Sequence, residues 1–435
     1  MEKIFKLREH GTNVRTEVTA GITTFMTMAY IIFVQPVFMS AAGMDFGAVM
    51  VATCISSALA TFLMGFWANY PIALAPAMGH NAFFAYTVCI GMGVPWQTAL
   101  GAVCISGTAF IILSLFGFRE KIINAIPRSL KNGIAVGIGL FIAFIGFQHA
   151  GLVKSDPNTL VTLGNLRSPV ALLSIFGIVV IVILLALKVK GALLIGIVAT
   201  AILGIPCGMV KYYGLMSKPP SLAPTFLQLD IAGAFNMGLL SVIFIFFFLD
   251  LFDTIGTLIG ISEQADFIVD GKLPRAKQAL FSDACGTVTG ALLGTSTVTS
   301  YIESSAGVAS GGRTGLSNMV TGGLFLVSLA FYPLAKMIGG GYDGLYPVTA
   351  PALIIVGSMM IKNVTKIEWS DVTESIPAFL ALVIMPFTYS ITEGIAIGFI
   401  FYALLKLVSG RGKEVHPILY VFAGLFILRY IFLIS

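Results

Sequence analysis

The chain has 435 residues, 57% of them hydrophobic and only 10% charged, with a mean hydropathy of +0.96. Soluble domains carry about 25% charged residues, so the composition excludes a soluble globular protein and predicts an all-α polytopic membrane protein. The net charge of +5 is dispersed over short loops, which argues against nucleic acid as a partner and leaves the lipid bilayer.

In chain order, apolar blocks run over 14–40, 46–67, 72–92, 96–117, 130–150, 169–187, 191–210, 233–262, 277–293, 294–311, 315–338, 346–362, 371–388 and 391–408. The long ones can cross a hydrocarbon core of about 30 Å at 1.5 Å per residue. They predict about fourteen transmembrane segments. Pro417 to Ile434 is a further apolar stretch that either spans or lies on the surface. With the N-terminus placed inside, the inner loops take 19 Lys and Arg and the outer loops five, Arg429 aside. That asymmetry sets a cytoplasmic N-terminus. The polar, basic stretch from Met1 to Arg15 carries no cleavable signal.

Two blocks do not read as simple spanning helices. The third, from Asn69 to Phe84, holds Pro71, Pro76, Gly79 and the polar pair His80-Asn81. The tenth opens with the hydroxyl-rich run Thr295-Ser-Thr-Val-Thr-Ser300 before Glu303. Each is expected to form a short extended piece followed by a half-helix. Irregular backbone at membrane depth is tolerated only where protein or water surrounds it. Interrupted segments at matching positions of two halves point to a transporter binding site between inverted repeats. Third and tenth match if the chain divides into two seven-segment repeats. Seven is odd, so the halves insert in opposite orientations.

The candidate site residues follow from this placement. Asp250 and Asp253 lie three apart in the eighth block, and so on one side of a helix. A carboxylate in hydrocarbon costs at least a few kcal/mol, so each is either a functional acid or a structural one satisfied by neighbours. Thr257 lies on the same block. Glu303 opens the tenth half-helix, either as a cap or as an acceptor for N–H groups of a planar heterocycle, with Ser304 and Ser305 beside it. Free N–H groups are expected at that helix start. Asn81 offers donor and acceptor together. Phe83 and Phe84 either stack on a ring or pack in the core. Asp283, in the ninth block, can support the tenth segment from behind. Glu393 reads as an interfacial cap, and Glu263, Asp266 and Asp270 as loop acids. The five cysteines show no metal or disulfide spacing and read as small packed residues. No phosphate loop, metal set or nucleophile motif is present, so no enzyme, metal or cofactor is expected.

Four stretches carry a resemblance: Gly11-Thr-Asn-Val-Arg-Thr-Glu-Val-Thr-Ala-Gly-Ile-Thr-Thr-Phe25, Ala77-Met-Gly-His-Asn-Ala-Phe-Phe-Ala-Tyr86, Asp250-Leu-Phe-Asp-Thr-Ile-Gly-Thr-Leu258 and Thr299-Ser-Tyr-Ile-Glu-Ser-Ser-Ala-Gly307. Together they resemble the nucleobase–ascorbate (nucleobase cation symporter-2) superfamily, in its azaguanine-resistance-type purine permease branch. The resemblance implies two inverted seven-segment repeats. A core domain would take residues 14–117 and 233–338, and a gate domain 130–210 and 346–408, with 409–435 as a tail. It also implies proton-coupled uptake of adenine, guanine or hypoxanthine across the inner membrane by alternating access, with a homodimer as the common assembly. Asp253, Glu303 and Asn81 would contact substrate, with Ser304 and Phe84 beside them. Asp250, Asp253 and Glu303 would couple the proton, and Asp283 and Thr257 would support them. Uracil and xanthine carriers of the superfamily have a Gln-His pair where Thr23-Thr24 stands here, which argues against those substrates. The rival readings are an anion carrier of the sulfate or bicarbonate type on the same fold, and a channel.

Overall fold

The structure is a computed structural model that describes residues 2–116, 127–235, 239–268 and 273–432. Of the residues named above, Asp270 lies outside this range, as does the side chain of Glu263.

The first segment is one candidate span, as expected, made of two helices, α1 (Val14–Met28) and α2 (Ile31–Ala41). Pro36 within α2 cannot donate a helical hydrogen bond and crowds the preceding turn. The chain tightens ahead of it, where Ile32 N donates to Ala29 O and Phe33 N to Tyr30 O. Then come α3 (Phe46–Leu63), strand β1 (Leu74–Pro76) and the five-residue α4 (Met78–Ala82), which continues as a wider helix to Gly91. After α5 (Trp96–Phe116) and α6 (Arg128–His149), a hairpin of β2 (Val153–Asp156) and β3 (Leu160–Leu163) lies where the sequence reading has only a loop. Next are α7 (Pro169–Ala186) and α8 (Ala192–Gly204).

The second half repeats the pattern. The eighth block opens with an isolated turn at Ile231–Ala234, and its long helix α9 (Leu240–Gln264) starts later than expected. Glu263 falls in its last turn rather than in the following loop. α10 (Ala276–Leu293), strand β4 (Val298–Ser300) and the six-residue α11 (Ser304–Ala309) follow. Then come α12 (Leu316–Ser328), α13 (Tyr332–Gly339), α14 (Ala350–Met360), α15 (Val372–Thr388), α16 (Ile391–Val408) and α17 (Pro417–Phe432). Among the described residues, eight helical stretches are long and apolar enough to cross a membrane. The other six expected segments are the two broken ones, the shorter α8, α14 and α15, and the less apolar α10. The protein is a multi-pass membrane protein.

The two broken segments meet. β1 and β4 pair antiparallel, with Leu74 opposite Ser300, Ala75 opposite Thr299 and Pro76 opposite Val298. Around this crossing pack α1, α3, α5, α9, α10, α11 and α12. A second set is formed by α6, α14, α15 and α16, with α7 beside them. Small residues set the close approach inside it: a Cβ on Gly357 would lie 2.4 Å from the Gly139 carbonyl oxygen, the tight contact expected where helices associate without a hydrophobic drive. α17 runs back along α16. Arg429 near its end pairs with Glu393 in the first turn of α16 at 2.9 Å, and the Tyr430 hydroxyl also donates to Glu393. The cap of α16 is Ser390, whose Oγ accepts from Glu393 N, so Glu393 anchors the last helix rather than capping its own.

Candidate functional site

The β1–β4 crossing positions the polar residues. α9 packs against β4, α4 and α11, so its two aspartates reach the crossing from one side. Their environments differ. Asp250 is fully buried, and its Oδ2 lies 3.0 Å from Thr287 Oγ1, which also lies 3.0 Å from the Val298 carbonyl oxygen. Asp253, one turn on, is exposed, and among the described residues it has no hydrogen-bond partner. The exposure continues along the same face. Gly256 has open space where a side chain would stand, and Gly260 is exposed with Ile302 Cδ1 3.7 Å from where its Cβ would be. An exposed face therefore runs along α9 from Asp253 toward Gln264.

Glu303 enters from the turn between β4 and α11 and is half-buried. Its Oε1 accepts from the Tyr30 hydroxyl at 2.8 Å. The charges of Asp283 and Glu303 both act on Asp253. The free N–H groups expected at the start of α11 are not there. Ser304 N, Ser305 N and Ala306 N donate to Tyr301 O, Ile302 O and Glu303 O at 3.0–3.1 Å, because the chain enters the helix through a tight turn that takes up those donors.

Asp283 is fully buried and serves β4. Its Oδ1 accepts from Ser300 N (2.8 Å), Ser300 Oγ (2.9 Å) and Thr299 Oγ1 (3.1 Å), and its Oδ2 accepts from Thr254 Oγ1 (2.7 Å). A carboxylate with four donors holds a strand too short to hold itself. Thr254 carries this link; Thr257, also buried, makes no hydrogen bond to the acids. Ser304 is buried and its Oγ accepts from Ala73 N at 3.0 Å, tying α11 to the approach of β1. Asn81 is buried beside the crossing: its Oδ1 accepts from the Ser296 hydroxyl, while its Nδ2 and both ring nitrogens of His80 have no partner. Phe84 and Phe83 are fully buried and pack on Phe246, with ring centroids 6.3 and 4.8 Å away.

Sequence reasoning missed Tyr30, Gln35, Thr287 and Ser296. Gln35 Nε2 donates to Thr295 Oγ1 at 2.8 Å and to Ser296 Oγ at 3.3 Å. Its signal is a lone amide inside Ile31-Ile-Phe-Val-Gln35. Tyr30 gives less, since a tyrosine among apolar residues reads as packing.

A multi-pass helical membrane protein with two strand-paired broken segments and open carboxylates at their crossing belongs to the class of permeases. The fold matches the transmembrane domain of the cyanobacterial bicarbonate transporter BicA, with a TM-score of 0.63, 16% identity, and coverage of 89% of this chain and 97% of that one. It also matches the murine Slc26a9 anion transporter in its inward-facing state, at 0.65 and 12% identity over 91% of this chain and 68% of that one. At these identities the likeness is one of fold. Residues 15–397 match the model described as Permease family, and the chain belongs to this nucleobase–ascorbate transporter family. The adenine permease AdeP of Escherichia coli is 48% identical over 434 residues, covering 100% of this chain and 96% of that protein. The guanine/hypoxanthine permease PbuG of Bacillus subtilis is 48% identical over 445 residues, covering all of both.

Proposed function

We propose that this permease takes up purine nucleobases (adenine, guanine or hypoxanthine) together with protons, by alternating access across the inner membrane. The observation that carries the reading is the pair of carboxylates at the crossing: Asp253, exposed on α9, and Glu303, whose Oε1 accepts from Tyr30. A purine presents ring N–H and exocyclic donors. Carboxylate oxygens are acceptors, and charge-assisted hydrogen bonds are roughly twice as strong as neutral ones. Asn81 Nδ2 is a donor without a partner, suited to a purine acceptor once the site rearranges around its cargo. The 48% identity to permeases named for adenine and for guanine/hypoxanthine supports the same class of substrate.

A proton arriving with the neutral base would reduce repulsion among Asp253, Glu303 and the acids behind them. Each net charge carried inward gains about 2.3 kcal/mol per 100 mV. Asp250, linked to β4 through Thr287, is the coupling neighbour in this reading. The core domain (14–117 and 233–338) would shift against the gate (130–210 and 346–408). The open face of Asp253, Gly256 and Gly260 leads toward the end of α9 that precedes basic Arg275 and Lys277. By the charge asymmetry that end is cytoplasmic, so the conformation reads as open inward. An anion carrier fits poorly, because two open carboxylates would repel its cargo.

The test uses radiolabelled hypoxanthine and adenine uptake into proteoliposomes under an imposed pH gradient. Uptake should follow the gradient and collapse when it is dissipated, and Asp253→Asn and Glu303→Gln should each abolish it. Unchanged uptake by either folded variant overturns the site. Uptake that tracks sodium instead overturns the coupling.

A further inference from the structure

Glu303 is held by the break in the first segment, on a residue that nothing so far has given a role. Tyr30 stands between α1 and α2, is 1% exposed, and donates its hydroxyl proton to Glu303 Oε1 at 2.8 Å. One turn earlier, Thr27 Oγ1 lies 3.3 Å from the Glu303 carbonyl oxygen. The first segment therefore touches both the main chain and the side chain of Glu303, and among the described residues Tyr30 is the side chain that hydrogen-bonds to that carboxylate. A phenol has one proton to give. Given to Oε1, it restrains the plane of the carboxylate and leaves acceptor capacity on Oε2. Buried tyrosines can be satisfied by backbone alone. Tyr301, two residues before Glu303, donates to the Pro76 carbonyl oxygen at 2.6 Å. Tyr30 spends its donor on the acid instead.

Tyr30 sits at the α1–α2 break. A continuous helix would carry residue 30 on in the regular α-helical turn. The tightened turn ahead of Pro36 instead sets Tyr30 as the residue before α2, and from there its ring crosses to α11.

We propose that Tyr30 is a positioning and specificity-determining residue for the purine: it locks Glu303 Oε1 so that Oε2 accepts one particular N–H of the base. The proposal rests on the reading of Glu303 as a purine acceptor. Its signature is selectivity among purines rather than stability.

Tyr30→Phe keeps the ring and removes only the hydroxyl. Losing the fixed geometry of one charge-assisted bond should weaken hypoxanthine binding about tenfold, with maximal uptake rate and detergent melting temperature little changed. Three analogues then identify the bond: 7-deazahypoxanthine and 9-deazahypoxanthine, which carry C–H in place of a ring nitrogen at position 7 or 9, and 1-methylhypoxanthine, which lacks the N1 proton. The analogue missing the N–H that Glu303 accepts should bind wild type and Tyr30→Phe equally, while the other two keep the gap. A gap of the same size for hypoxanthine and all three analogues, or no gap at all, overturns the proposal. If Tyr30→Phe does not fold, Thr27→Val is expected to give a smaller gap for hypoxanthine that vanishes at the same analogue, and the lack of that pattern overturns the proposal equally. Glu303→Gln separates the two readings. If it leaves hypoxanthine affinity intact, the site assignment itself fails. If it abolishes binding while Tyr30→Phe shows no selective gap, only the role of Tyr30 fails.

Discussion

Asp283 tests whether the site is built as described, because it is the acid with the most donors and no exposure. Replacing it with Ala leaves four donors. Thr254 Oγ1 and Thr299 Oγ1 lie 2.7 Å apart and can pair with each other. Ser300 N and Ser300 Oγ lose their acceptor, and each unsatisfied buried donor costs about 1–3 kcal/mol, so the substitution should cost roughly 2–6 kcal/mol. Asp283→Asn keeps one acceptor oxygen for the Ser300 and Thr299 donors. Its amide nitrogen can donate to Thr254, whose own proton then turns to Thr299. Its cost should be about 1 kcal/mol. The assay is thermal unfolding in detergent, combined with hypoxanthine binding on the same preparations. Asp283→Ala should melt far below wild type, while Asp283→Asn should melt close to it and bind purine within a few-fold. If Asp283→Asn melts normally but no longer binds, Asp283 touches the purine and the supporting role is wrong. If Asp283→Ala melts like wild type, the four-donor knot does not hold β4.

Gly256→Leu should fold and melt normally, since nothing lies within 4 Å of the added Cβ, yet uptake should be lost because the side chain fills the approach to Asp253; normal uptake would show that purine reaches the acid by another route. Gly307→Ala should displace α11, because its Cβ would lie 2.1 Å from Thr24 Oγ1 and 2.8 Å from Ala20 O; adding Thr24→Ala should restore part of the lost binding, and no recovery would place the strain elsewhere. At the loop before α17, Arg411 Nη1 bonds to Asp371 Oδ2 at 2.6 Å and, with Thr373, holds that carboxyl well below its usual 3.8. A depressed carboxyl contributes stability that is complete above its unfolded value and lost as pH falls through the folded one. The difference in melting temperature between wild type and Arg411→Gln should therefore hold steady from pH 5 to 8 and shrink below about pH 4; a difference that vanishes by pH 6 would refute the pairing.

What could be read in advance is what composition and local chemistry dictate. Pro71, Pro76 and the hydroxyl run 295–300 cannot continue a spanning helix, so the third and tenth segments were legible as broken, and their matching positions pointed to the crossing that β1 and β4 make. The spacing of Asp250 and Asp253 gave a shared helix side. It could not give their unequal exposure, which depends on how α9 rotates against β4. The start of α11 shows the opposite limit: a helix N-terminus promises free N–H groups, but the turn through Tyr301 and Ile302 takes them up. The position of α17 was open in sequence because an apolar run fits either a span or a surface. The Arg429–Glu393 pair decides that it lies along α16, and a contact 36 residues apart leaves no local signal.

Tyr30 is the deeper case. Its partner is 273 residues away, and the helix break that aims it has its only sequence mark in Pro36. Yet the chemistry of the site depends on such distant donors. A carboxylate just before a six-residue helix, without a partner, could turn either oxygen toward the cargo and would discriminate little among purine edges. Held at one oxygen by a buried phenol, it presents a single acceptor in a single direction. The acids name the class of ligand, and the neutral groups that fix them decide which ring nitrogen is read. Exchange of Tyr30 should therefore shift the ranking of purines, whereas exchange of Asp253 or Glu303 should remove uptake of all of them. Parallel losses from both kinds of variant would show that the division does not hold.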